Sequence, residues 1–272
     1  VNPRGRWLSG ISLILLSLYS PIWSQRTPVS LGVVWVFFLE LLVIRGVRRA
    51  RYLSRPSRFT VLLSDAEGTR ACHLHDPGRL KHLLRRGAEV FYRWAWRPGR
   101  RTSCDVVAVR GPGGVLVLED TRLGNKLFPM AASLIVPGLT GDLAAEKWVN
   151  GTRVDFVSVD REGRPVLIEV KSTNLVENGV ALFPDAPSTR ARRQVEALVA
   201  ATRSGARAAI VFTVLRGDAH LLRPNRAIDP GLARLLKNHQ RSLELYAYRV
   251  DSVLVGDEIR ISYAGAITID LD

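Results

Sequence analysis

Cysteine is scarce in this sequence. Cys72 and Cys104 are the two present. No Cys-x-x-Cys pair exists, so neither a zinc site built on paired thiolates nor a disulfide framework has support. Two ordinary buried thiols are the expectation, and a single disulfide between them stays open. Solenoid-type repeats and low-complexity tracts are also missing. Negative charge is in short supply. Asp and Glu number 25 against 39 Lys and Arg, a formal net charge of +14 over 272 residues. An excess of that size, carried mainly by clustered arginine, favours a polyanionic partner. Nucleic acid stands ahead of an anionic membrane surface. What is present in quantity is apolar: 47% of the residues, enough for a packed core in one or two domains.

Two apolar runs open the chain, residues 7–23 and 29–44. Each is slightly short of the roughly 20 residues that cross a bilayer, and Pro21 and Glu40 interrupt them. The Arg-rich run from Arg45 to Arg58 would lie on the cytoplasmic side of such a pair. A signal peptide is less apt, because no clean small-residue cleavage site follows residue 23. The chain begins with Val1, which also fits an extension that is not native. Residues 1–44 are therefore read as an apolar segment, either a membrane hairpin or a non-native extension. They are set apart from the chemistry.

From residue 58 the pattern shifts to short strand-like runs: 58–65, 69–76, AEVFYRWAW, SCDVVAVRG and GVLVLEDT. PGRLKHLLRRG (77–87) reads as a short helix with Leu80, Leu83 and Leu84 on one face and Gly87 as its stop. Five strands and one helix have the size of a small β-barrel. Beyond residue 122 the pattern alternates as in an α/β domain: a helix over 122–134, three strands, an amphipathic helix over 187–204, a buried strand, a helix over 230–239 and two strands. The expected division is thus 45–121 and 122–272.

The chemistry concentrates in RVDFVSV–DREG–RPVLIEVKS. Pairing Asp160 with Arg164 leaves a three-residue loop in which Gly163 takes the left-handed position. That register sets Asp155 across from Glu169, unless a bulge shifts it. Glu169 and Lys171 lie two apart and share a face of the strand. Two clustered carboxylates repel unless a divalent cation holds them, and hard oxygen ligands suit Mg²⁺ or Mn²⁺. Such an ion polarises a phosphodiester and activates water, while Lys171 neutralises developing charge. Glu146 precedes Asp155 and is a candidate third metal ligand. A solvated Glu–Lys pair at a strand end is the plain alternative. Two apolar strands before it and an amphipathic helix after it favour the layout of a PD-(D/E)xK nuclease core.

Several ordered stretches carry a family resemblance: RPSRF (55–59), HLHDPGRLKHLL (73–84), GTRVDF (151–156), IEVKSTNL (168–175) and FPDAPSTRARRQVEAL (183–198). With these the chain resembles the sugar fermentation stimulation protein A (SfsA) family, closer to its archaeal branch. The resemblance implies an N-terminal OB-fold domain followed by a PD-(D/E)xK nuclease-like α/β domain. It also implies DNA binding and a nuclease activity on DNA or RNA. Asp155, Glu169 and Lys171 match the family's nuclease motif, Glu146 its upstream acid, and Asp185 and Arg190 match as well. Gln194 stands where bacterial members have His, and the HLHDPGRL stretch departs from the bacterial form.

The expected nucleic-acid surface comprises Arg55, Arg58 and Arg79, the segment Arg93, Trp94, Trp96, Arg97, Arg100 and Arg101, and Arg190 and Arg193 on the helix after the nuclease motif. Arginines track phosphates and aromatics stack bases. Both tryptophans have a core placement as the alternative. Two functions stay in contention. One is a Mg²⁺- or Mn²⁺-dependent hydrolase of phosphodiester bonds in DNA or RNA. The other is a non-catalytic, sequence-tolerant DNA-binding protein, regulatory and linked to sugar metabolism. Either is expected in the cytoplasm with the nucleoid, or tethered to a membrane if residues 7–44 are native.

Overall fold

The structure, a computed structural model, describes residues 39–149 and 151–272. The run 7–23 and most of 29–44 lie outside the described residues. The last six residues of the second run, read as part of an apolar hairpin, form a strand instead: β1 (Leu39–Ile44). It pairs with a strand some 220 positions away, and buried Leu41 and Ile44 join the core of the second domain.

The Arg-rich run that follows, expected on the cytoplasmic side of a hairpin, is part of the first sheet. It is strand β2 (Val47–Ser57), with Val47, Ala50 and Tyr52 buried and Arg48, Arg49 and Arg51 exposed. β3 (Thr60–Asp65), β4 (Gly68–His73), β5 (Glu89–Trp94), β6 (Cys104–Arg110) and β7 (Leu116–Leu118) complete the first half. The sheet order β4-β3-β2-β5-β6-β7 with an added β4–β6 pairing closes a five-stranded barrel. Closure sets Cys72 beside Cys104 with Cα atoms 4.6 Å apart, and the two are disulfide-bonded. The expected thiols are thus corrected by tertiary pairing, which spacing of 32 residues does not reveal.

Residues 77–87 do not form the expected helix. Leu80 and Leu83 are buried against the barrel, but Leu80 is left-handed at φ 51°. The Arg55 guanidinium donates to the carbonyls of Asp76, Gly78 and Arg79, oxygens that a helix would need for its own ladder. Only one turn remains, in which the Leu83 and Leu84 N–H groups reach the Leu80 carbonyl.

The second half comprises α1 (Leu123–Ile135), β8 (Ala144–Val149), β9 (Thr152–Val159), β10 (Pro165–Thr173), β11 (Val176–Glu177), β12 (Val180–Phe183), α2 (Thr189–Thr202), β13 (Arg207–Val214), β14 (Leu221–Pro224), α3 (Pro230–His239), β15 (Glu244–Val255), β16 (Glu258–Ala266) and β17 (Thr268–Ile269). A seven-stranded sheet runs β1-β16-β15-β13-β10-β9-β8, parallel through β10, β13 and β15. Helix α1 covers one face with Leu127, Phe128 and Ala131 against Ile168 and Val170. Helices α2 and α3 cover the other, where Leu167 packs with Val195 and Leu198. Side chains alternate along a strand, so Glu169 and Lys171 fall on the α2 face. Ser188 caps α2 and Asp229 caps α3, each accepting from the N–H three residues on. The four short strands β11, β12, β14 and β17 form a second sheet that hydropathy patterning does not show. Barrel residues Phe91, Leu116 and Leu118 share the α1-side core, and the Leu118 N–H donates to the Leu215 carbonyl at 3.0 Å.

Candidate active site and nucleic-acid surface

The hairpin β9–β10 takes the register read from its sequence. Val159 faces Pro165 and Phe156 faces Ile168, with Gly163 left-handed at φ 75° in the loop. The ladder stops there, and at the next position Asp155 bonds to β10 through its side chain. One Asp155 oxygen accepts from the Val170 N–H at 2.9 Å, the other from the Asn125 amide of α1 at 2.9 Å. Asn125 reaches it because α1 lies close on β10. A Cβ on Gly124 would stand 2.3 Å from the Ser172 hydroxyl, so only glycine fits.

Glu169 is 3% exposed. Burial pushes its carboxyl up, Lys171 pulls it down, and the Asp155 charge pushes it up again. Lys171 donates to one Glu169 oxygen and to the Gln194 side-chain carbonyl of α2 at 2.7 Å. The other Glu169 oxygen is buried with no hydrogen-bond partner. Asn125 and Gln194 are site residues that spacing alone does not disclose, since they come from helices far along the chain. Glu146 is not gathered with the pair. It stands at the register position opposite Asp155, but with φ 54° its backbone leaves the ladder, and its exposed carboxylate lies 3.5 Å from Arg153. Among the described residues no group of three or more His, Cys, Asp or Glu side chains converges as a metal site.

Known proteins share this arrangement of halves. The profile described as "Sugar fermentation stimulation protein RE domain" matches residues 123–254, and that of the "SfsA N-terminal OB domain" matches residues 53–118. The chain belongs to the sugar fermentation stimulation protein (SfsA) family. A homolog from Moorella thermoacetica is 41% identical over 214 residues, 76% of this chain and 92% of that one. One from the archaeon Methanothermobacter thermautotrophicus is 33% identical over 216 residues, 76% of this chain and 87% of that one. The structure of Pyrococcus furiosus SfsA in complex with Ca²⁺ superposes with a TM-score of 0.75 at 26% identity, covering 85% of this chain and 99% of that one. The fold is thus an OB barrel followed by a nuclease-like α/β domain, as the sequence resemblance implies.

Residues outside the β9–β10 hairpin, several of them in the stretches that carry the family resemblance, meet where the two halves join. Asp76 follows β4, Glu119 follows β7 and Asn174 follows β10. The Asn174 amide donates to Asp76 at 2.8 Å and to Glu119 at 3.3 Å. Asp185 lies over Gly78, where a Cβ would be 1.9 Å from its carboxylate. Glu119 is fully buried, and desolvation followed by the Asp76 charge raises its carboxyl well above the usual range. Desolvation pushes Asp76 up to about 6, with the Asp185 charge adding to it.

The expected nucleic-acid residues divide. Arg55 is taken up structurally: besides its three carbonyls in the 76–79 loop, it donates to the Arg58 carbonyl at 2.6 Å. Arg100 is likewise turned inward, onto the Ala95 carbonyl, Thr102 and Asp105. Arg58 and Arg79 stay exposed around the 77–79 turn. β5 ends at Trp94, so the two tryptophans do not share a strand face. Trp94 sits at an edge to Tyr92 with Arg70 and Arg48 over its ring. Trp96 is 72% exposed and lines a cavity of about 620 Å³ with Arg93, Arg97, Arg101, Lys126 and His73. His75 Nε2 lies 3.2 Å from the Asp105 oxygen that Arg100 also holds. Arg190 and Arg193 line a separate cavity beside Gln194. No helix among the described residues is long and apolar enough to cross a membrane.

Proposed function

We propose that the chain is a divalent-metal-dependent hydrolase of phosphodiester bonds in nucleic acid, with DNA as its first substrate and RNA as a second. The observation that carries this reading is the unpartnered, buried oxygen of Glu169 beside Asp155. Burying a carboxylate oxygen without a partner is costly, and a cation removes that cost. Each Asp155 oxygen accepts one hydrogen bond and keeps a lone pair. Two carboxylates, with no third acidic ligand among the described residues, fit Mg²⁺ or Mn²⁺, which retain several waters. Ca²⁺ in the Pyrococcus furiosus relative supports a hard cation. When bound, such an ion polarises a phosphoryl oxygen and acidifies water. Asp155 is oriented for this by Asn125 and the Val170 amide. Lys171, held by Glu169 and Gln194, places a positive charge where the phosphate becomes more negative. The net charge of +14 and the exposed arginines supply substrate affinity that weakens with salt.

The test is hydrolysis of labelled single- and double-stranded DNA and RNA by the full chain in Mg²⁺, Mn²⁺ or EDTA, beside Glu169→Gln and Lys171→Ala. Metal-dependent cleavage lost in both variants, with binding retained, is expected. Tight binding without cleavage of any substrate, or equal cleavage by the variants, leaves a DNA-binding protein on a nuclease scaffold.

A further inference from the structure

Beside the carboxylate pair, on the α2 face, lies a cavity of about 470 Å³ lined by Trp148, Arg153, Arg190, Arg193 and Gln194. Its size falls in the range of about 300–1,000 Å³ typical of small-ligand sites. Trp148 is on the edge strand β8 and is 74% exposed, the most exposed of the large apolar side chains among the described residues. An indole so placed adds nothing to the core and presents a flat face to solvent. Arg192 pairs with Asp229 and Arg153 with Glu146, whereas Arg190 and Arg193 form no ion pair among the described residues. Gln194, which lines the cavity, accepts from Lys171. Arg190 is near enough to Glu169 to lower its carboxyl electrostatically. One cavity thus joins an aromatic face, two unengaged guanidinium groups and the catalytic lysine's partner.

We infer that this cavity is a subsite for one unpaired nucleotide next to the scissile phosphate, its base stacked on Trp148 and its backbone phosphates held by Arg190 and Arg193. The inference rests on the nuclease reading for its location but not for its binding chemistry. A base inside a duplex already has neighbours on both faces, so only a single-stranded or splayed base can lie on the indole. The preferred substrate class is therefore single-stranded or locally unpaired nucleic acid. Stacking tolerates any base, so no strong sequence preference follows.

The test uses the full chain in EDTA, where binding is read without cleavage. The probes are a single-stranded oligodeoxynucleotide carrying one 2-aminopurine and a blunt duplex of the same length. Trp148→Ala is expected to weaken single-strand binding about tenfold, to abolish stacking-induced quenching of the 2-aminopurine, and to leave duplex binding unchanged. Trp148→Phe should retain most of the affinity, and the exposure of residue 148 makes misfolding an unsuitable explanation for either variant. Equal losses for both probes, unchanged single-strand binding, or a change in self-association in place of affinity would overturn the subsite. Trp148-dependent single-strand binding in a protein that cleaves nothing in Mg²⁺ or Mn²⁺ would uphold the subsite and sink the nuclease reading. Cleavage that is indifferent to Trp148 would do the reverse.

Discussion

Two acidic groups in this molecule are built from the same residue types and set in opposite surroundings. At the end of the β9–β10 hairpin, Glu169 and Asp155 have an ammonium beside them and hydrogen-bond donors from helix α1 and strand β10. At the junction of the halves, Glu119 and Asp76 have one shared amide, that of Asn174, between them. Glu119 and Glu169 each keep one oxygen unpartnered. The deciding difference is a cation in contact. Lys171 offsets part of the burial of Glu169, whose carboxyl stays raised, whereas Arg216 and Arg55 act on Glu119 without touching it, and desolvation favours a proton there. The first group is suited to hold a metal. The second joins the two halves of the chain through the Asn174 amide, with burial favouring the protonated carboxyls.

The sharpest way to break this comparison is to neutralise one acid in each group. Glu169→Gln should lower metal-dependent hydrolysis by about 10³-fold, read as kcat, while the folded state persists. Asp76→Asn should leave the hydrolytic rate near that of the wild type but change stability against pH. Asp76 has its pKa raised from 3.8 to about 6 in the folded chain, so between those values the native state binds more protons than the unfolded state. Its contribution is therefore fully present below pH 3.8 and lost as pH rises through 6. That shift corresponds to about 3 kcal/mol. Urea unfolding of wild type and Asp76→Asn at pH 4 and pH 7 should differ in pH dependence by roughly that amount. Parallel curves would show that the junction acids are ionised in the fold.

Smaller effects sharpen the same contrast. Gly124→Ala forces a methyl group toward the Ser172 hydroxyl and should cost about 2 kcal/mol in denaturant unfolding, through displacement of α1 from β10. Asn125→Ala removes a donor to Asp155 from the solvent side, and should reduce kcat about tenfold with no change in unfolding midpoint. If Asn125→Ala instead destabilises the chain and spares kcat, the amide is structural and Asp155 is oriented by the Val170 N–H alone.

Local pattern determined a good part of this protein. The hairpin register that faces Asp155 with Glu169 follows from strand alternation and from Gly163 in a three-residue loop, both short-range properties. The three helices and the central strands β10, β13 and β15 follow from apolar periodicity and from caps such as Ser188 and Asp229. Tertiary structure decided the rest, because its causes lie far apart in sequence. Leu39–Ile44 is a strand because β16 offers it an edge, although its composition suits a membrane run equally well. The 77–87 segment is a loop because Arg55 takes the carbonyls a helix would use. Cys72 meets Cys104 only once the barrel closes. Glu146 leaves the carboxylate pair through a left-handed backbone, and Asn125 and Gln194 enter the site from helices whose positions depend on packing both faces of one sheet.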